Sequence, residues 1–113
     1  MHEMSIAINI IDIALKAAKQ EEAQRINSIQ VEIGALAGVI PEALTFCFSE
    51  AQKNTMAARA QIDFVLTPAK AFCAACNHRF PAFERAVPCP VCGDMVVQMS
   101  GGTALKVTKI NID

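Results

Sequence analysis

Cys73-Ala74-Ala75-Cys76, twelve residues, then Cys89-Pro90-Val91-Cys92 is the stretch that decides the fold. Two cysteine pairs at this spacing are the ligand set of a four-thiolate metal site. Each pair can form a tight knuckle whose backbone amides point at the sulfurs, and Gly93 stands ready to take a positive φ just after the last ligand. Four soft thiolates in tetrahedral array select zinc, or iron in a rubredoxin-like site. A closed set of four leaves no open coordination position, so the site is structural rather than catalytic. A thioredoxin-like redox pair would lead from a strand into a helix, and neither pair does. The residues between Asn77 and Pro88 are too few and too polar for a core. Phe72, Phe80 and Phe83 are the large apolar residues near them. The metal is therefore expected to hold this lobe together.

Outward from the cysteines the chain alternates. Before them, Ile62, Phe64 and Leu66 face one way in a strand closed by Pro68. After them, Leu105 to Ile112 reads as another strand whose phase slips from odd (Leu105, Val107) to even (Ile110, Ile112), which a bulge near Thr108-Lys109 would reconcile. Farther out, Ser28 to Ile33 is a half-buried strand with Ile29, Val31 and Ile33 on one face. Gly34 to Gly38 reads as a loop. Pro41 suits the first position of a helix whose core stripe is Leu44, Cys47, Phe48 and Ala51, where Cys47 acts as a small buried hydrophobe. Thr55 to Ala60 reads equally as an extension of that helix or as a turn. From Ser5, the expected N-cap, to about Gln24 the pattern is helical. Its stripes are Met4, Ile8, Ile11, Leu15, Ala18 and, beside them, Ile6, Ile10, Ile13, Ala17.

Helix, strand, helix, strand, insert, strand predicts an α+β protein. Two helices cover a small three-stranded mixed sheet, with a four-cysteine zinc-ribbon-like lobe inserted. The strand–helix–strand unit of residues 28–67 is expected to cross over right-handedly with parallel strands. Residues 1–68 with 103–113 then make one domain, and residues 69–102 a zinc-binding domain.

Composition narrows the function. The chain has 113 residues, 53% of them hydrophobic, with no Trp or Tyr and six Phe. A formal net charge of −1 gives no footprint for nucleic acid or an anionic membrane. Residues 1–67 hold eight acids against five bases and residues 68–113 three against five, neither extreme. No apolar run approaches the ~20 residues of a membrane span. The stretch Ile6 to Ala18 is broken by Asn9, Asp12 and Lys16 and preceded by Glu3 and His2, so a signal peptide is not expected. Five cysteines, four in close pairs, suit a reducing compartment, and a soluble cytoplasmic protein is expected. No nucleophile–base pair, phosphate loop or set of convergent carboxylates suggests an enzyme. Two rival readings are a zinc-ribbon interaction or nucleic-acid-binding module and a rubredoxin-like electron carrier. The first expects basic and aromatic side chains clustered on the ribbon, where Lys70, Arg79 and Arg85 are the nearest bases.

The other candidate site is the amino terminus, Met1-His2-Glu3. A terminal amine titrates near ~7.7–8.0, so a metal can compete for it at neutral pH. The amine and the deprotonated amide of His2 close a five-membered chelate ring, and Nδ1 of His2 closes a six-membered one. Three nitrogens in one plane favour Ni(II) or Cu(II) and leave the fourth corner empty. The amide of Glu3 cannot reach that corner. His78, the other histidine, is the candidate fourth nickel ligand; on spacing alone it reads more simply as a surface imidazole or as a hydrogen-bond donor to a thiolate. Glu3 reads as an axial or outer carboxylate, or as a favourable charge before a helix N-terminus.

Taken together these residues resemble the HypA/HybF family of hydrogenase maturation nickel chaperones. The resemblance runs end to end, through Met1-His2-Glu3-Met4-Ser5, Gly34 to Gly38, Pro41-Glu42-x-Leu44-x-Phe46-x-Phe48, Cys76-x-His78-x-Phe80 and Leu105-x-Val107-x-x-Ile110. Where family members often show Gly-Thr after the second helix, this chain has Asn54-Thr55. The resemblance implies a metallochaperone that receives Ni(II) and passes it to the large subunit of a nickel-iron hydrogenase. It implies Met1 and His2 as nickel ligands, assisted by Glu3, with the initiator Met retained. Cys73, Cys76, Cys89 and Cys92 are implied as structural zinc ligands. The implied partners are a HypB-type GTPase and the hydrogenase large subunit, with urease accessory proteins for some members. Nucleic acid and membrane are not among them, and the expected state is a monomer or weak homodimer.

Overall fold

A broad apolar pattern lets a helix choose which part of its surface to bury, and the first helix, α1 (Glu3–Gln20), buries Ala7, Ile10, Ile11, Ala14 and Ala18. Of the Met4-to-Ala18 stripe expected from the sequence, only Ile11 and Ala18 are buried, while Met4 and Ile8 are exposed. The buried face is centred on the alanines, and the second helix packs against α1. The helix also starts earlier than Ser5. Its N-cap is His2, extended at φ −95° and ψ 101°, with no side-chain capping bond. It ends at Gln20 because Glu22 turns left-handed (φ 56°), and the amide of Ala23 donates back to the Ala18 carbonyl.

The computed structural model describes residues 2–113. After α1 come β1 (Ile26–Gly34), α2 (Pro41–Gln52), β2 (Gln61–Thr67), β3 (Ala69–Cys73), β4 (His78–Ala82), β5 (Gln98–Ser100) and β6 (Leu105–Ile112). Two three-stranded sheets form, in the orders β2-β1-β6 and β4-β3-β5. The chain divides into two compact units. One comprises the residues up to Glu32, Val39–Val65 and Lys106–Asp113; the other comprises Ile33–Gly38 and Leu66–Leu105. The class is α+β, with two helices, a small mixed sheet, and a further sheet carrying the cysteines.

β1 and β6 are antiparallel. The amide of Gly34 meets the Ala104 carbonyl, Thr108 Oγ1 donates to the Gln30 carbonyl, and the Asp113 amide donates to the Arg25 carbonyl. Amide direction does not alternate evenly along the pair: the amides of Arg25 and Gly34, nine residues apart, both donate toward the β6 side, so the pairing is locally irregular between them. Ile26, Ile29, Val31 and Ile33 are the buried apolar side chains of β1. β2 follows β1 in parallel, with Ile26 bonded to Met56 and Ala35 to Thr67.

α2 begins at Pro41, where a missing N–H costs nothing. Its buried residues are Leu44, Phe48 and Gln52, with Cys47 half-buried. The Phe48 ring meets Phe64 of β2 at 5.8 Å between centroids. Buried Gln52 is satisfied: Nε2 donates to the carbonyls of Ala57 (2.9 Å) and Ala60 (2.8 Å). That pair of bonds, after left-handed Asn54 (φ 60°), makes Thr55 to Ala60 a turn rather than more helix.

In the second unit, β3 pairs antiparallel with β4 and β5. The inner face of that sheet is small: Leu36, Ala69, Ala71 and Ala82, flanked by Phe80 and Met99. Gly34 is required here, because a Cβ at that position would collide with the backbone carbonyl of Gly102.

Candidate metal centre

β3 delivers Cys73 at its last residue and β4 begins at His78, directly opposite Cys73 in register. The turn between them carries Cys76 and needs a left-handed residue, which Asn77 supplies (φ 60°). The second knuckle is closed by two backbone bonds, from the Gly93 amide to the Cys89 carbonyl and from the Cys89 amide to the Asp94 carbonyl, both 2.9 Å. Gly93 takes the positive φ expected of it (78°).

The two knuckles bring four sulfurs together. Cys73 Sγ lies 3.5 Å from Cys92 Sγ, and Cys76 Sγ 3.5 Å from Cys89 Sγ. All four lie within 4.8 Å of one another. A tetrahedron with metal–sulfur bonds of ~2.3 Å has edges of about 3.8 Å, so the donor set fits a zinc-sized ion. Cys73 and Cys89 are buried; Cys76 and Cys92 are exposed.

The electrostatics prepare one sulfur. Burial alone would raise the Cys89 thiol, but amide donation from Cys92 and Val91 overrides it and brings Cys89 down to about 6. Burial of its sulfur and bonds to the neighbouring thiols push Cys76 up to about 12. Cys92 receives an amide bond from Asp94 that favours its thiolate, yet its neighbours leave it raised. One negative charge among four close sulfurs resists a second until a cation arrives.

Among the described residues these cysteines are the one group of three or more His, Cys, Asp or Glu side chains gathered closely enough for a single ion. His2 is exposed at the N-cap of α1 and Glu3 is half-buried in its first turn. Met1, named with them from the sequence, lies outside the described residues. His78 is half-buried, its ring stacked on Phe80 at 5.8 Å and 13°. His2 and His78 belong to different compact units. The cysteine spacing foretold backbone amides aimed at the sulfurs of both knuckles, but not that they would single out Cys89.

Fold and site define a small α+β protein with a four-cysteine metal-binding centre. The family model described as "Hydrogenase/urease nickel incorporation, metallochaperone, hypA" matches residues 1–112. The chain is 39% identical over 113 residues to "Hydrogenase maturation factor HypA" of Rhodopseudomonas palustris (strain BisA53), covering both chains completely. It is 38% identical, with the same coverage, to "Hydrogenase maturation factor HypA 2" of Bradyrhizobium diazoefficiens. The solution structure of the Ni metallochaperone HypA from Helicobacter pylori superposes with a TM-score of 0.69 at 21% identity, covering 99% of this chain and 97% of that one. The chain belongs to the HypA family of nickel-incorporation metallochaperones. It is therefore not an enzyme, and the four-cysteine centre is a metal site. No helix is long and apolar enough to cross a membrane among the described residues.

Proposed function

We propose that this chain captures Ni(II) at its amino terminus and delivers it to the large subunit of a nickel-iron hydrogenase, in the cytoplasm and with a HypB-type GTPase. Urease accessory proteins are the alternative recipients. Zinc is the resident ion of Cys73, Cys76, Cys89 and Cys92, where its role is to fold the second unit. The terminal amine of Met1, the amide of His2 and the His2 imidazole supply three nickel donors.

The observation that carries this reading is the position of His2. It is exposed, and as the N-cap of α1 it precedes the first helical residue. The N–H of an N-cap has no partner inside its helix, so its deprotonation and coordination disturb no bond of the fold. A helix N-terminus repels cations. Loss of the amide proton removes one of the two nickel charges, and Glu3, in the first turn, opposes the other.

Calorimetric titration of Ni(II) into untagged, zinc-loaded protein tests the proposal. An N-terminal extension, or His2→Ala, is expected to abolish nickel binding while zinc content and the NMR spectrum persist. Unchanged affinity in the extended protein would refute it. His78→Ala tests the fourth donor separately: weaker nickel binding with retained zinc supports that role, and unchanged binding assigns the fourth corner elsewhere.

A further inference from the structure

The sheet β4-β3-β5 has two unlike faces. The inner face packs the small alanine core. The outer face carries Lys70, Phe72, Arg79, Pro81, Gln98 and Ser100. Register sets Lys70 between Pro81 and Ser100, and Phe72 between Arg79 and Gln98. These residues line a concave site of about 720 Å³, within the range of about 300–1,000 Å³ that ligand sites occupy.

Its charge is uncompensated. Neither Lys70 nor Arg79 joins an ion pair among the described residues, and no acid lines the site. The Arg79 guanidinium lies over the Phe72 ring, 5.4 Å from its centroid. Stacking fixes the plane of the guanidinium and leaves its N–H edges for a carboxylate. Lys70 faces Pro81, two residues from Arg79 on β4, so the two cations are diagonal neighbours, about 7–8 Å apart at the backbone. Alternate residues of an extended chain are separated by about 6.6 Å, nearly the same span.

We propose that this face docks a short, extended, acidic segment of a partner protein, with carboxylates at alternate positions held by Lys70 and Arg79. Gln98 and Ser100 hydrogen-bond to the segment's backbone. The face is read rather than the edge, because Pro81 on edge strand β4 lacks the N–H that strand addition would use. Nucleic acid fits less well: two cations neutralise few phosphates, and four thiolates around one divalent ion carry net negative charge.

The test is ¹⁵N NMR titration of the zinc-loaded full chain with a blocked Gly-Glu-Gly-Glu-Gly peptide, alongside its lysine counterpart and a single-stranded oligothymidine. Shifts are expected at the amides of Lys70, Phe72, Arg79, Gln98 and Ser100 with the glutamate peptide alone. Lys70→Glu with Arg79→Glu is expected to weaken binding about tenfold, with zinc content unchanged. Should that variant misfold, Lys70→Gln with Arg79→Gln is measured instead. No shifts, shifts elsewhere, undiminished affinity in the folded variant, or tighter binding of oligothymidine would each overturn the proposal.

Discussion

Replacing Cys73 by serine removes one of four metal ligands from a position that is fully buried. The size of the effect follows from how little else holds the second unit. Its buried apolar cluster is one leucine and three alanines, with Phe80 and Met99 only partly covered. At about 0.8 kcal/mol per buried methylene, that cluster contributes on the order of 5 kcal/mol. A structural zinc centre contributes an apparent ~10–16 kcal/mol at neutral pH. Losing one ligand of four removes on the order of a quarter of that, about 2.5–4 kcal/mol, comparable with the unit's whole apolar contribution. Cys73→Ser is therefore expected to lose zinc and unfold residues 66–105. Both helices lie in the other unit, so far-ultraviolet circular dichroism near 222 nm should persist. Amide dispersion should collapse only for the second unit, and metal analysis should show zinc lost. Full zinc content with native dispersion across residues 66–105 would refute the reasoning.

Gly34→Ala should destabilise the second unit without touching a ligand, because its Cβ meets the backbone of Gly102 and Thr103 rather than a yielding side chain. The expected cost is about 1–3 kcal/mol, read as a lower thermal midpoint, and an unchanged midpoint would show that the backbone yields freely. Zinc uptake by metal-stripped protein should release protons at pH 7: Cys89, lowered to about 6, is already a thiolate, while Cys76, raised to about 12, and Cys92, also raised, hold protons that the ion displaces. Affinity should thus rise with pH through the neutral range and fall more steeply below about 6, where Cys89 too is protonated. Calorimetry in two buffers of different ionisation enthalpy measures the release, and identical heats would contradict it.

The cysteine spacing, the start of α2 at Pro41 and the left-handed Gly93 were legible because each is fixed by local chemistry. The rest depended on neighbours distant in sequence. α1 carries isoleucines over so wide an arc that periodicity left its buried face open, and only packing in the folded unit, α2 included, settled it on Ala7, Ile10, Ile11, Ala14 and Ala18. Gln52 falls on the Leu44–Phe48 stripe, yet nothing local shows that its amide would close the turn at Ala57 and Ala60. β3 escaped notice because alternating alanines are poor strand signals, although Ala69 and Ala71 face the core while Lys70 faces solvent. Gly34 to Gly38 reads as a loop, and its place in the second unit rests on bonds from Leu36 to Gly102 and from Ala35 to Thr67.

On the proposed reading, the two metals make opposite demands on one short chain, and the difference lies in how each donor set is coupled to folding. The four thiols exist as a cluster only while β3, β4 and the second knuckle are formed, with amide bonds to Cys89 drawing charge onto that sulfur in advance. Removing that ion dismantles its own site, so its exchange is tied to unfolding. The donors of the amino terminus stand before the first helical residue, where the backbone N–H has no helical partner. Coordination there orders a few bonds at the chain end, and departure of the ion leaves α1 and its packing unchanged. An ion held without being woven into the core can leave for a better donor set, which delivery requires and a structural site must prevent.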